Sequence, residues 1–523
     1  MPRRSRLVAL LTAVAVATAG CTLPVIAPDE SDPSGPGAGS GRSQAPSVPG
    51  TVASWRPCPE VPRALVGRGA TGMRYDCASV AVPRDWNAPQ SGQTYEVAMI
   101  RVRSQRQSDR IGSLLLNPGG PGASGIDTAI YLSFGQQLGG LPTEITDRFD
   151  IVGFDPRGVG RSDPVRCITS DEQDQAIAAD PDPVRQAEFD EIVALNRRIG
   201  ENCGRKYGDQ LPLFATEQAA RDIDALRAAV GDPKLTYLGY SYGTLLGATY
   251  AQLFPKNIRA MVLDGAVNPI PGFVARSETQ AKGFERAFAN FTTWCSGTPQ
   301  RCPIGPDARE AITDAMAKAE VSPVRATDGR AATNGWIFLG VISSLYNEAG
   351  WQMLAKAIDS LQAGNAEGIL DLADQYAHRE PDGSYSNLFD ANAAVNCADA
   401  ADVPTVEQIR QLQSQWRTKY PMFGASQAIT LLSCALWPGK RDPYPTGPAT
   451  GAPPIVVVGT TGDPATPYEN TAELAGMLGT GQVLTWEGEG HTAYPNTGCI
   501  TTAVDRYLID LTVPPAGQRC PAR

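Results

Sequence analysis

The stretch Leu235-Thr236-Tyr237-Leu238-Gly239-Tyr240-Ser241-Tyr242-Gly243-Thr244 constrains this chain more than any other. A short apolar run ends in Gly239-x-Ser241-x-Gly243, a pattern that occurs once, and an apolar helix is predicted from Thr244 to Phe254 with Pro255 just beyond it. Glycine two places before and two places after a serine lets a strand turn sharply into a helix. The serine Oγ is then left standing above the end of a sheet. A chain built around such a turn needs a strand inside a sheet and a helix packed against it. Ser241 is therefore the candidate nucleophile.

The flanking sequence supplies the sheet. Strand-like runs are read at Tyr95–Val102, Ser113–Leu116, Asp150–Phe154, Ala260–Leu263, Pro454–Gly459 and Val483–Trp486. A helix is read from Thr216 to Val230, with Thr216 as its N-cap and Ile223, Leu226 and Val230 on one face. Nearly all-apolar strands alternating with helices predict an α/β architecture with a mostly parallel sheet covered on both faces. From about 270 to 435 the texture changes. Phe284, Ala287, Phe288 and Phe291 follow helical spacing, as do Trp351, Leu354, Ala355 and Ile358. This segment is read as a helical cap inserted between a first core part, 55–269, and a second, 436–523.

A serine nucleophile needs a base, and the chain offers only His378 and His491. His378 falls in Leu372-Ala373-Asp374-Gln375-Tyr376-Ala377-His378-Arg379, a polar helix end, and is expected to be solvated. His491 falls in the glycine-rich loop Gly488-Glu489-Gly490-His491-Thr492 after a strand, where catalytic groups collect, and is the candidate general base. Asp463, in Gly462-Asp463-Pro464-Ala465-Thr466-Pro467, is the favoured acid, with Asp264 as its alternative. The order Ser241, Asp463, His491 is the chain order of α/β-hydrolases. The N–H of Tyr242 and that of Gly120, in Asn117-Pro118-Gly119-Gly120-Pro121-Gly122, are the expected oxyanion donors. Two dinucleotide-like patterns, Gly67-x-Gly69-x-x-Gly72 and Gly120-x-Gly122-x-x-Gly125, are set aside. The first lacks a strand before it, and the second carries Pro121 inside its turn.

Composition decides the compartment. Arg3, Arg4 and Arg6 precede an apolar run, Leu7 to Gly20, too short to span a bilayer comfortably, and 1–20 reads as an export signal. Thr18-Ala19-Gly20-Cys21 then resembles a lipobox, although Leu is usual where Thr18 stands. Lipidation of Cys21 is expected, and plain cleavage near Ala19 is the alternative. Residues 21–54, rich in Pro, Gly and Ser, read as a flexible tether. Setting Cys21 aside leaves ten of the eleven cysteines, an even number that predicts five disulfides between neighbours in order. No CxxC pair exists and histidines are two, so no metal or other cofactor is expected. The net charge of −10 argues against nucleic acid as a partner and against an anionic membrane surface. Membrane contact is expected only through the lipid anchor, on the outer face of the cell membrane, and the protein is expected to be a monomer.

Taken together, Asn117–Gly122, Asp155–Ser162, Thr216–Gly243, Gly462–Pro467 and Gly490-His491 resemble the actinobacterial tripeptidyl aminopeptidase family, exported serine hydrolases related to proline iminopeptidases. The resemblance runs from about Trp55 to the C-terminus. It implies an α/β-hydrolase core, a helical lid, the triad Ser241, Asp463, His491, and peptide or protein substrates. A carboxylesterase or an endoprotease with the same triad is the alternative. An aminopeptidase must bind a substrate ammonium, and a buried ammonium needs a carboxylate. The cap carboxylates Glu348 and Asp399 are the candidates for that role.

Overall fold

The computed structural model describes residues 52–58 and 72–522. The export segment, Cys21, nearly all of the tether, Gly67 and Gly69 lie outside the described residues. The sheet contains β1 (Arg56–Pro57), β2 (Met73–Pro83), β3 (Thr94–Ser104), β4 (Gly112–Asn117), β5 (Phe149–Phe154), β6 (Leu235–Tyr240), β7 (Ile258–Asp264), β8 (Ile455–Gly462), β9 (Gly481–Glu489) and β10 (Gln518–Pro521). Their order is β1-β2-β3-β5-β4-β6-β7-β8-β9-β10. The β1, β2 and β3 pairings are antiparallel, and every pair from β5 to β10 is parallel. The chain therefore winds one way from β4 to β5 and the other way from β4's far side to β6. Crevices at the carboxyl ends of strands beside such a reversal are where ligands bind in open α/β sheets.

Every residue of β4, β5 and β6 is buried, because both faces of the sheet are covered. Alternate residues serve opposite cores. Leu115, Tyr237 and Val457 pack with the helices Thr216–Ala229 and Tyr242–Leu253. Leu114, Leu116, Leu238 and Val456 pack with Gly125–Leu132 and Gly498–Asp510. Each fully buried aliphatic or aromatic side chain contributes roughly 1.5–3 kcal/mol. One local expectation fails. Thr216 is the first helical residue, Ala215 is the N-cap, and the Thr216 N–H is satisfied from outside by Asp399 Oδ1 at 2.9 Å. β2 escapes the apolar-run criterion because only Ala78, Val80, Val82 and Pro83 are buried, with Arg74 and Asp76 before them and the exposed Ser79 between. It is half-exposed, as antiparallel edges commonly are.

Helices between β7 and β8 run from Phe273–Gly297 to Leu432–Ala435. They hold their own core, in which Phe284, Phe288, Phe291, Trp351, Leu354 and Ile358 are all buried. A second segment also belongs to the cap, and the periodicity reading left it out. Helices Ser170–Ala178 and Gln186–Tyr207 precede β6 in sequence yet pack upward. Phe189, Ile192 and Val193 join Ile409, Trp416 and Leu431 in one cluster. Thr333 Oγ1 donates to the Ala178 carbonyl at 2.8 Å. A Cβ on Gly335 would stand 1.9 Å from the Ile177 carbonyl oxygen, so only glycine permits that crossing.

Five disulfides join Cys58–Cys77, Cys167–Cys203, Cys295–Cys302, Cys397–Cys434 and Cys499–Cys520, each between neighbours in sequence. Such a set forms and persists in an oxidising compartment, so the protein is exported.

The turn Asp155–Ser162 is scaffold rather than site. Asp155 accepts from Ser124 Oγ at 2.6 Å and from the Ile126 and Arg161 N–H groups. Arg157 forms a buried bidentate pair with Asp222, Nε to Oδ2 at 2.7 Å and Nη2 to Oδ1 at 2.6 Å, and its remaining donors reach the carbonyls of Pro83, Arg84 and Leu213. Asn387 from the cap donates to the Gly158 and Val165 carbonyls and accepts from the Gly160 N–H. The same turn thus fastens core to cap.

Candidate active site

β6 delivers Ser241 into a left-handed backbone conformation, φ 54° and ψ −124°. A non-glycine residue there is strained, and such strain persists only where the surroundings over-determine it. Here they do. The Ser241 N–H donates to the Asp264 carbonyl at 2.9 Å, and the Ser241 carbonyl accepts from both the N–H and the Oγ1 of Thr244, at 2.8 and 2.6 Å. The two flanking glycines are required by contact. A Cβ on Gly239 would meet the Gly243 carbonyl oxygen at 2.3 Å, and one on Gly243 would meet the Asn117 carbonyl oxygen at 2.6 Å.

The turn after β4 closes over this elbow. Gly119, at φ 97°, would carry its Cβ 2.5 Å from the Tyr240 carbonyl oxygen and 2.9 Å from the Tyr242 nitrogen. Gly120 follows at φ 103°. Tyr242 opens the helix Tyr242–Leu253, and the first N–H groups of a helix have no acceptor within it. Gly120, Ser241, Tyr242 and His491 all line one cavity of about 930 Å³ beneath the cap.

Asp463 follows the end of β8 and is fully buried. Its Oδ1 accepts from the N–H groups of Ala465 and Thr466, at 2.9 and 2.8 Å, and its Oδ2 accepts from Thr466 Oγ1 at 2.9 Å. His491 Nδ1 stands 2.9 Å from Asp463 Oδ2 and 3.0 Å from Oδ1. His491 Nε2 is buried and makes no hydrogen bond among the described residues. Burial disfavours the imidazolium, but the Asp463 charge, the hydrogen bond to it and the more distant charge of Asp264 outweigh this, and the His491 pKa is raised above its ordinary value. The imidazole is thus oriented through Nδ1 and presents Nε2, the proton-accepting nitrogen in such a pair.

The other sequence candidates stand elsewhere. Asp264, the alternative acid, does not hydrogen-bond His491. Its carboxylate takes the N–H groups of Ala493 and Tyr494, both at about 2.8–2.9 Å, and so fixes the loop that follows His491. Burial pushes it up to about 7. His378 is half-buried in the cavity wall rather than fully solvated: burial lowers its pKa, and it closes the helix Glu367–Ala377 in a left-handed conformation. Neither ammonium candidate reaches the cavity. Asp399 is fully occupied by Thr216, accepting its N–H at 2.9 Å and its Oγ1–H at 2.6 Å, because it serves as the missing cap of that helix. Glu348 is exposed, in the first turn of Glu348–Gln362. The carboxylates that do line the cavity among the described residues are Asp127 and Asp180. In the second dinucleotide-like pattern, the glycines serve contact. Cβ atoms on Gly122 and Gly125 would meet the carbonyl oxygens of Leu388 and Phe154 at 2.5 and 2.2 Å.

Comparison with known proteins agrees with this fold. The family model described as alpha/beta hydrolase fold matches residues 112–308, and the one described as TAP-like protein matches 420–520. Over 98 % of its length the chain is 36 % identical to serine protease Hip1 of Mycobacterium tuberculosis, covering 96 % of that protein. It is 37 % identical to carboxylesterase B of the same organism, over 92 % of each chain. To the tripeptidyl aminopeptidase of Streptomyces lividans it is 31 % identical, over 83 % of this chain and 81 % of that one.

Proposed function

The chain belongs to the α/β-hydrolase family of serine hydrolases that includes these relatives, and from that premise we propose that it is a serine peptidase releasing short peptides from free N-termini. The observation that carries the mechanism is the oriented imidazole: Nδ1 on Asp463, Nε2 unbonded, and Ser241 on the same cavity wall. Nε2 takes the Ser241 Oγ proton as Oγ bonds to the scissile carbonyl carbon. The negative charge moves to the carbonyl oxygen, which the N–H groups of Gly120 and Tyr242 receive. His491 then gives its proton to the leaving amine, the C–N bond breaks, and an acyl-serine remains. Water, deprotonated by Nε2, attacks that ester, and Ser241 recovers its proton as the peptide acid leaves.

The cavity wall supports a peptide over an acyl chain, the substrate class that the carboxylesterase relative's name would suggest. Gln173, Asn196, Gln375, Asn392, Asn396 and Gln427 line it. Side-chain amides both donate and accept, which suits the backbone N–H and C=O groups of a peptide. For the substrate ammonium, Asp180 replaces the two sequence candidates. Asp127 is paired with Arg161 at 3.0 Å, whereas Asp180 makes no ion pair among the described residues, Arg417 being taken by its neighbour Asp182. Asp180 is thus the cavity carboxylate left to receive the substrate ammonium. The test compares tripeptide amides with a free and an acetylated N-terminus. Acetylation is expected to lower kcat/KM by about tenfold or more, the loss of one charge-assisted contact. Equal turnover would remove the aminopeptidase reading and leave an endoprotease or esterase.

The export signal and a lipid on Cys21 belong to the same proposal, with the protein working as a monomer on the outer face of the cell membrane. Cys21→Ser should release active protein into the medium. Retention of that variant on the membrane would exclude the anchor.

A further inference from the structure

Tyr346 and Asn347 follow the cap helix Asn334–Leu345, yet they touch the loop that carries the base. The His491 N–H donates to the Tyr346 carbonyl at 2.8 Å, and Asn347 forms an antiparallel bridge with Gly490. Gly490 itself, at φ 114°, would place a Cβ 2.9 Å from that same Tyr346 carbonyl oxygen, so the approach is closed to any larger residue. The Tyr346 ring then meets the imidazole edge to face, with centroids 5.3 Å apart and planes at 87°. Its hydroxyl lies 3.3 Å from that of Tyr376, and its ring packs on Phe284. A cap residue thus holds the base's backbone and covers its ring, although nothing in its sequence context marks it.

We propose that Tyr346 is a positioning residue for catalysis, holding the His491 backbone and covering one side of its imidazole so that Nε2 stays aimed into the cavity and the ring is shielded from water, while Asp463 keeps Nδ1. This rests on His491 being the general base. Three elements surround the imidazole. From the β8 loop come Asp463 and Thr466, whose Oγ1 is 3.3 Å from Nδ1. From the end of β7 come Asp264 and Gly265, and a Cβ on Gly265 would lie 3.1 Å from His491 Cε1. From the cap comes Tyr346, backed by Tyr376. On its own strand the nearest charge is Glu489, which is held by Asn290 at 3.0 Å. With Asp463 on one side and no room at Gly265 on the other, the Tyr346 side is where the ring has freedom to swing. Asp463 and its neighbours would remain after Tyr346 is truncated, and what changes is water's access to the imidazole. Desolvation of the imidazolium is the largest influence on His491, so admitting water favours the protonated form.

The test is the pH dependence of kcat/KM and kcat on p-nitrophenyl acetate, a substrate too small to read the peptide-binding wall, for the parent, Tyr346→Phe, Tyr346→Leu and Tyr346→Ala. Tyr346→Phe keeps the ring and is expected to keep the parent profile. Tyr346→Ala is expected to lower kcat about tenfold, the effect of a loosened base, and to move the acid limb upward by about half a pH unit or more. Tyr346→Leu, which preserves apolar volume, should fall between them and carries the test if the alanine variant does not fold. The rate of Ser241 labelling by a fluorophosphonate should follow the same pH displacement. An acid limb at the parent midpoint in Leu and Ala variants with lowered kcat, or a change confined to KM, would overturn the inference and make Tyr346 only cavity wall. Activity retained in His491→Ala would instead show that the base itself is misassigned.

Discussion

The two sides of the site are held by different means. On the nucleophile side, Gly239, Ser241 and Gly243 are fixed by atoms of β4, β6 and β7, strands of the same sheet. On the base side, Asp463 and His491 sit on loops that the cap grips. Arg286 Nη2 donates to the Asp463 carbonyl at 3.2 Å, Gln280 Nε2 donates to the Ala465 carbonyl at 3.0 Å, and Tyr346 takes the His491 N–H. The nucleophile is a property of the sheet, and the base is shared between sheet and cap. Damage to the cap should therefore be read in the base's behaviour before it is read in the elbow's.

The largest effects fall on the reacting groups of both sides. Ser241→Ala and His491→Ala should each lower kcat on the order of 10⁶-fold. Both should keep the parent's circular dichroism, and Ser241→Ala should abolish labelling by a fluorophosphonate. His378→Ala should leave kcat nearly intact, since its ring lies in the cavity wall and not on Asp463. A reversal of the two histidine results would move the base into the cap and undo the comparison.

Next comes a lesion confined to the core. Asp222→Ala strands the Arg157 guanidinium, which has no exposed side-chain surface, and should cost about 3–5 kcal/mol in denaturant unfolding. The acid limb of kcat/KM should stay where it was in whatever fraction remains folded. A shifted limb would mean that core and base are coupled more tightly than their contacts suggest.

The pH profile of the parent is the third measure. His491 must be neutral to accept a proton, and its pKa is raised, so activity is lost as pH falls through a midpoint above the ordinary 6.5. Below that midpoint kcat/KM should drop about tenfold per pH unit. A midpoint below 6.5 would mean that burial outweighs Asp463.

The smallest effect tests the cap's grip on the acid. Arg286→Ala removes one hydrogen bond to the Asp463 carbonyl and a partly exposed pairing with Glu469. A decrease of about two- to tenfold in kcat is expected, the value of a single hydrogen bond. Unchanged kcat would confine the cap's hold on the base side to Tyr346 and Gln280.

This division also explains what could be read from the sequence. The elbow was legible because its requirements are local: two glycines, a strand and a helix within ten residues. The parallel strands were legible because burial on both faces leaves uninterrupted apolar runs, and β2 was not because it is wet on one face. His491 followed from there being two histidines and one strand-end loop. The ammonium candidates failed because a carboxylate's partners are set by packing. Asp399, chosen for its place near Cys397, turns out to serve a helix end 183 residues earlier. Tyr346 was invisible for the same reason, since the later part of the cap, β8 and β9 separate it in sequence from His491.

The cap's construction from two stretches has a consequence for anyone who would exchange it. The segment between β7 and β8 leaves and re-enters the sheet at neighbouring strands, which makes it resemble a cassette with clean ends. Yet Trp416 and Ile409 rest on Phe189 and Ile192, and Thr333 is tied to Ala178, on helices that belong to the other side of the elbow in sequence. A chimera that swaps one stretch alone inherits half an interface. In this architecture the two stretches should therefore be exchanged as a pair, because moving one without its companion exposes the apolar surface they share.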